Sequence, residues 1–274
     1  MKLIGGTYVY NEEMMIPYVM PYVERMGYDK FIVWDDGCTD NTIAKLSQYP
    51  FIEIRDGKSL EGQDFNWRKL NAMLGTFNEC NKASAENGGE NVWMTFTDFD
   101  EVIFLQRERG TSVKEYLEMM DSRGYNYFDG RMVHLICEKC VGNGWLPHSW
   151  NGVRGSWWLT EGRKTTMLKV NDFARIVMYI GNHNMVGELR KGKEAKNLDS
   201  CKEFNNFHMK YFDKRTLKLR DDDKNFVDSE YDARMNILSQ SFPIENYFLM
   251  KGFFAEKSPM NKRDAGEGLT IIGK

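Results

Sequence analysis

Val92-Trp93-Met94-Thr95-Phe96-Thr97-Asp98-Phe99-Asp100-Glu101 is a largely apolar, β-prone run that passes directly into three acids. The apolar part is too short for a helix and does not alternate, which is the pattern of a strand covered on both faces. Working back towards the N-terminus, the same pattern recurs. Residues 65–78 carry Leu70, Met73, Leu74 and Phe77 at helical spacing, and residues 51–55 read as the third strand. Before them, a short helix over Ile43, Ala44 and Leu46 can be capped by Thr39 or Asp40. Residues 31–34 form the second strand, residues 11–25 a helix with Ile16, Val19, Met20 and Val23 on one face, and residues 3–10 the first strand. Residues 81–91, with Gly88-Gly89, read as a polar loop. Strand–helix alternation of this kind predicts βαβ units on a mostly parallel sheet with flanking helices, an α/β fold.

Towards the C-terminus the order loosens. Residues 113–120 read as a helix, and residues 125–137 contain an alternating strand with Met132, His134 and Ile136 on one side. Residues 141–163, rich in Gly and Trp (Trp145, Trp150, Trp157, Trp158), suggest loops over a cleft. Residues 165–170 and 175–180 read as strands, joined as a hairpin around Asn171-Asp172. The chain beyond 210 is highly charged, with a helix expected at 230–238. With no repeat and no linker, residues 1–274 are read as one domain. It has a regular half, 1–105, an irregular half, 106–220, and a charged extension, 221–274.

Composition sets the outer limits. Of 274 residues, 42% are hydrophobic and 28% charged, which excludes a disordered or low-complexity chain. Lys and Arg number 37 and Asp and Glu 40, a net charge of −3, so no basic field recruits nucleic acid. The apolar runs are far shorter than the roughly 20 residues of a spanning helix. The first residues lack a secretory h-region. Five scattered cysteines fit a reduced compartment. The expectation is a cytoplasmic enzyme with at most peripheral membrane contact.

Ligands of open α/β sheets bind at the carboxyl ends of the strands, and here three strand ends are acidic. Tyr10-Asn11-Glu12-Glu13 follows the first, Asp35-Asp36 the second, and Asp98-Phe99-Asp100 the fourth. In an extended segment residues i and i+2 share a side, so Asp98 and Asp100 are expected to face one spot while Phe99 turns into the core. Two adjacent carboxylates repel unless a cation lies between them. Mg²⁺ or Mn²⁺ suits oxygen ligands and shares its sphere with substrate phosphates. Asp221-Asp222-Asp223 lacks a preceding apolar strand and reads as a solvated face. In Asp35-Asp36-Gly37-Cys38-Thr39-Asp40, Gly37 and Asp40 serve the turn and the next helix, while Asp35 and Asp36 can accept hydrogen bonds from a base or ribose.

Y-N-E-E, D-D-G-C-T-D-N-T and T-D-F-D-E together resemble the motifs of the family 2 glycosyltransferases, with Cys38 where that family usually has Ser. The resemblance is strong over residues 3–105 and faint beyond, and the D-x-D-E variant looks like a divergent bacterial branch. It implies a GT-A fold, a single Rossmann-like sheet whose irregular second half binds the acceptor. It further implies a metal-dependent transfer of a sugar from a nucleotide-sugar, a UDP-sugar by expectation, to a glycan or lipid-linked acceptor. Carried over, Tyr10 packs near the base and Asp36 or Asp35 contacts the base or ribose. Arg68 and Asn71 lie on a helix lining the nucleotide pocket. Asp98 and Asp100 take the ribose and the metal, and a late His, His208 with His183 as rival, adds to the metal or diphosphate. An inverting transfer needs a general base. The family's usual acidic dipeptide is missing at the expected distance, which leaves Glu161 and Glu188 as candidates.

Other features carry less. Cys137-Glu138-Lys139-Cys140 has no second pair for zinc, and neither a G-x-G-x-x-G nor a P-loop is present. Arg190, Lys191, Lys193 and Lys196 read as a solvated basic loop, with an anionic acceptor or membrane surface as the alternative. Two competing functions remain open: a nucleotidyltransferase, whose triphosphate Glu12 and Glu13 would repel, and a carbohydrate-binding protein built on the Trp-rich loops.

Overall fold

The computed structural model describes residues 1–60, 65–105, 111–137, 153–156, 163–179, 184–199, 204–211 and 242–243. Its first half follows the expected alternation: β1 (Lys2–Val9), α1 (Ile16–Met26), β2 (Lys30–Asp35), α2 (Thr42–Leu46), β3 (Ile52–Asp56), α3 (Phe65–Glu86) and β4 (Val92–Phe96). After it come β5 (Glu101–Leu105), α4 (Val113–Ser122), β6 (Tyr127–Cys137), β7 (Val153–Ser156), β8 (Arg163–Lys169), β9 (Phe173–Tyr179), β10 (Asn184–Leu189), β11 (Asn197–Asp199), β12 (Phe204–Tyr211) and β13 (Phe242–Pro243).

The protein is an α/β fold with one large mixed sheet and helices on its flanks. The principal strand order is β13-β7-β6-β8-β4-β1-β2-β3. β3, β2, β1 and β4 are all parallel, whereas β8 runs antiparallel to both β4 and β6. The chain winds outward from β1 through β2 to β3, then returns to place β4 on the other side of β1. The connections therefore diverge between β1 and β4, and the crevice beyond that point is where such sheets bind ligands.

Side chains alternate across the sheet and bury both faces. Ile4, Tyr8, Ile32, Trp34, Val92, Met94 and Phe96 pack on Ala72, Met73, Phe77 and Cys80 of α3. Leu3, Trp93, Phe128 and Met167 pack on the other face with Met26 and with Val113, Tyr116, Leu117 and Met120 of α4. Each such large side chain contributes roughly 1.5–3 kcal/mol by leaving water. α4 begins with a capping box, Ser112 Oγ accepting from the Glu115 N–H and Glu115 from the Ser112 N–H. α1 stops at Gly27, whose φ of 68° gives the left-handed cap that closes a helix.

Three expectations about elements change. α3 runs eight residues past the expected end at 78, because Cys80 and Ser84 continue its buried face through what reads as a polar loop. β5 was not expected as a strand; it pairs antiparallel with β12, one hundred residues later. The hairpin around Asn171-Asp172 does not form. β8 pairs with β4 and β6, and β9 pairs instead with β10 in a separate two-stranded ribbon. A 3-10 turn, Val170–Asp172, makes that step. Asn171 Oδ1 accepts from the Val92 N–H at 2.8 Å, and its amide donates to Ser84 Oγ at 2.8 Å, so the turn is pinned to β4 and α3 rather than free to reverse the chain. Residues 230–238 and the four tryptophans of 141–163 lie outside the described residues.

Candidate active site

The loops that follow β1 and β2 are knitted together. The Asn11 side chain accepts from the Thr39 N–H at 2.8 Å and donates to Thr39 Oγ1 at 3.2 Å. The Glu12 N–H donates to Thr42 Oγ1 at 2.8 Å, and the Glu13 N–H to Asp40 Oδ2 at 3.1 Å. Lys45, then Asn41, hold the half-buried Glu13 carboxyl below the usual carboxylate range. Asp40 also accepts from the Thr42 N–H at 2.9 Å, the turn role expected of it, although the residue capping α2 is Asn41. Asp35 Oδ1 accepts from the N–H groups of Gly37 and Cys38 at 3.0 and 2.7 Å, closing a turn in which Gly37 has φ 87°.

Asp36 faces inward. The Tyr8 hydroxyl donates to its Oδ1 at 2.6 Å, and Arg68 grips it with both prongs, Nε to Oδ1 at 2.8 Å and Nη2 to Oδ2 at 3.0 Å. A bidentate guanidinium–carboxylate pair of this kind is strong and directional. Asp36 is only 8% exposed and Arg68 22%. Hydrogen bonding to Asp36, then to Tyr8, raises the Arg68 pKa, and burial, then the Asp36 contact, pushes the Tyr8 phenol well above its ordinary range. Asp36 and Arg68, each expected from the sequence to line a nucleotide pocket, are thus paired with each other.

The fourth strand end differs from the extended geometry expected of it. The Glu101 N–H donates to the Asp98 carbonyl at 3.0 Å, so residues 98–101 form a tight turn. Phe99 is buried, as expected, and so is Asp100, at 1% exposure. Asp98 keeps 19% of its side chain in solvent and is ion-paired with Lys69, which is 1% exposed. Asp98, Phe99 and Glu101 share a small cleft with Tyr22 and Tyr28 on the α1 side. Lys69 went unnoticed in the sequence, where a lysine inside an α-helix reads as surface.

Arg68 and Lys69 are neighbours on the second turn of α3, and one holds the acid after β2 while the other holds the acid after β4. α3 thereby ties together two of the three acidic strand ends at the sheet's point of divergence. Asn71 lies one turn further along the same helix, partly buried. Tyr10, Met14, Phe65 and Trp67 are four of the five large hydrophobic residues exposed among the described residues. They come from the loop after β1 and the start of α3, around the same crevice, and Phe65 packs edge-on against Tyr8 with ring centroids 5.1 Å apart.

The described acids fit a hard divalent cation by donor chemistry, since all their ligating atoms are oxygen. No group of three acid, His or Cys side chains that could hold a metal ion occurs among the described residues. His208 stands on β12 in register with Glu101 of β5 and His134 of β6, beside the acidic turn. Glu188 is on the β9–β10 ribbon, exposed and 2.5 Å from Arg175 Nε. Glu161 and His183 lie outside the described residues. In the basic loop, Lys193 pairs with Asp172, Arg190 bonds Asn81, and Lys196 covers the Tyr125 ring. These three cations thus have partners within the chain.

The model of glycosyltransferase family 92 matches residues 4–232. This chain belongs to glycosyltransferase family 92. The family 2 likeness remains one of local motifs. No curated protein sequence matches it. Among solved structures, the family 92 chain is similar to S. aureus TarS (11% identity, TM-score 0.44), over 99% of this chain and 49% of that one. It spans about half the length of TarS. Similarity also extends to 4-diphosphocytidyl-2C-methyl-D-erythritol synthase (11% identity, TM-score 0.32), over 63% of this chain and 76% of that one. The Anaerococcus prevotii DSM 20548 form of that synthase aligns at 10% identity and TM-score 0.31, over 62% and 71%. No described helix of the family 92 chain is long and apolar enough to cross a membrane.

Proposed function

We propose that this family 92 glycosyltransferase is of the GT-A type. In this reading it moves a sugar from a nucleotide-sugar, most simply a UDP-sugar, to a glycan or lipid-linked acceptor, in the cytoplasm and with at most peripheral membrane contact. One observation carries the reading: successive residues of α3, Arg68 and Lys69, gather the acids behind β2 and β4 at the point where the sheet's connections diverge. A nucleotide laid in that crevice meets the exposed Tyr10, Phe65 and Trp67 rings, which suit stacking on a base or on the apolar face of a sugar. The solvent-facing edge of Asp98 can accept from ribose hydroxyls. Asp36, with its oxygens committed, anchors Arg68, and the base-side contact falls to Asp35 and Tyr10.

Asp98 and Asp100 would hold Mn²⁺ or Mg²⁺, with His208 as a further ligand. Such an ion, once bound, offsets the charge of the departing nucleoside diphosphate. The acceptor hydroxyl loses its proton to a carboxylate in an inverting transfer. Glu161 is the candidate for that base, because Glu188 is paired with Arg175 on the ribbon.

Calorimetry with UDP tests the reading. Binding is expected to require Mn²⁺, and Asp100→Asn is expected to weaken it by about 30-fold, roughly 2 kcal/mol. UDP binding that ignores Mn²⁺ refutes the metal role, tighter binding of CTP or UTP than of UDP favours a nucleotidyltransferase, and no nucleotide binding leaves a carbohydrate-binding protein.

A further inference from the structure

Tyr8 lies near the end of β1 and is only 3% exposed. A phenol buried this deeply needs partners for its hydroxyl, and the partners found here tie β1 to the loops behind β2 and β3 and to α3. The hydroxyl donates to Asp36 Oδ1 at 2.6 Å and lies 3.2 Å from the Gly57 carbonyl. Its oxygen accepts from Arg68 Nε at 3.0 Å. The socket around the ring is closely cut: a Cβ on Gly57 would come within 2.7 Å of Tyr8 Cε2, and Phe65 packs edge-on against the ring. Burial, then the bond to Asp36, keeps the phenol protonated well beyond its ordinary range.

Asp36 and Arg68 would stay joined without that hydroxyl, since they bond each other directly. What Tyr8 adds is direction. Arg68 Nε is shared between the Tyr8 oxygen and Asp36 Oδ1, and Nη2 is held by Asp36 Oδ2, so the inner edge of the guanidinium is fixed. Nη1 has no partner among the described residues, and the side chain keeps 22% of its surface in solvent. A guanidinium only donates, so its outer edge takes an acceptor oxygen. We propose that Tyr8 is a positioning residue of the nucleotide crevice: its hydroxyl fixes the Arg68 guanidinium against Asp36 and so aims Nη1 at an oxygen of the bound nucleotide. This rests on the donor-site reading above. Tyr8 touches no part of the nucleotide in this scheme. It acts through Arg68, as a member of a buried polar network that is rigid because its partners are in place, and it removes the ordering cost that a loose guanidinium would meet on binding.

The test is a double-mutant cycle on the full chain, read as affinity for UDP by calorimetry with Mn²⁺ present. Tyr8→Phe removes only the hydroxyl and keeps the ring in its socket. It should weaken UDP binding by about five- to tenfold. In an Arg68→Gln background the same change should alter the affinity by less than about twofold, because the group through which Tyr8 acts is gone. A role in stability alone would leave the affinity of the folded protein unchanged, or lower it equally in both backgrounds, and either result overturns the proposal. So does UDP binding that Arg68→Gln leaves untouched. Should Arg68→Gln fail to fold, Arg68→Gln/Asp36→Asn serves as the background, since neutral replacement of both members of a buried pair is commonly tolerated. Uridine in place of UDP identifies the oxygen. A loss in Tyr8→Phe already seen with uridine assigns a base or ribose oxygen, and a loss seen with UDP alone assigns the diphosphate. Native protein that binds no UDP sinks the donor-site reading and this inference with it. UDP binding that Tyr8→Phe does not change sinks this inference alone.

Discussion

Cys38 shows how much one atom of the second motif does. Its sulfur accepts from the Asn11 N–H at 3.3 Å and donates to the Val9 carbonyl at 3.8 Å, bridging the loops after β1 and β2. Burial, then the neighbouring Asp35 carboxylate, pushes the thiol from 9.0 up to about 12. The folded value lies above the unfolded one, so the stabilisation is complete below about pH 9 and fades as pH climbs towards 12. The thiolate is the reactive form. At pH 8, iodoacetamide should label Cys38 in the folded protein about 100-fold or more slowly than in the urea-unfolded chain, with the labelled site read by mass spectrometry. Equal rates would contradict the burial and charge seen around the sulfur.

At the scale of elements, the contact between β1 and α3 sets how close the helix lies to the site. Gly6 is what permits it. A Cβ at that position would meet Thr76 Oγ1 at 2.6 Å, Thr76 Cγ2 at 2.8 Å and Phe96 Cδ2 at 2.9 Å. Thr76 cannot swing aside without loss, because its hydroxyl accepts from Trp34 Nε1 at 3.0 Å and donates to the Ala72 carbonyl at 2.9 Å. Gly6→Ala should therefore destabilise the protein by about 1–3 kcal/mol, seen as a lower urea midpoint with an unchanged slope. Because α3 carries Arg68 and Lys69, the same variant should also weaken UDP binding. Unaltered stability would mean that the helix is free to shift. The sheet and its first three helices were legible because apolar runs and helical spacing are local. β5, Val102-Ile103-Phe104-Leu105, is apolar but directly abuts the acids, and its partner β12 is too distant in sequence to infer.

In the molecule as a whole, the β9–β10 ribbon is joined to the large sheet through a buried amide. Asn126, 2% exposed, accepts from the Lys196 N–H at 3.0 Å and donates to the Glu194 carbonyl at 2.8 Å, while Lys193 pairs with Asp172. Asn126→Ala leaves those backbone groups without their partner and should cost about 1–3 kcal/mol. Amide hydrogen exchange should quicken over residues 184–199 and stay unchanged in β1 and β2. Uniform acceleration across the chain would show that the ribbon and the sheet unfold together. The basic loop, which reads from sequence as solvated or as a contact for an anionic surface, is in part the strap that makes this junction.

Amino-acid order alone determined the α/β alternation, the acidic ends of β1, β2 and β4, and the resemblance to a glycosyltransferase family, because period, turn chemistry and short motifs are properties of neighbouring residues. Tertiary structure decided which charges meet. Asp36 is bound to Arg68 and Asp98 to Lys69, across separations of 32 and 29 residues, and the acidic run closes into a turn instead of staying extended. Pairings of that kind follow from how α3 lies on the sheet, and a buried charge is stable only where packing delivers its counterpart.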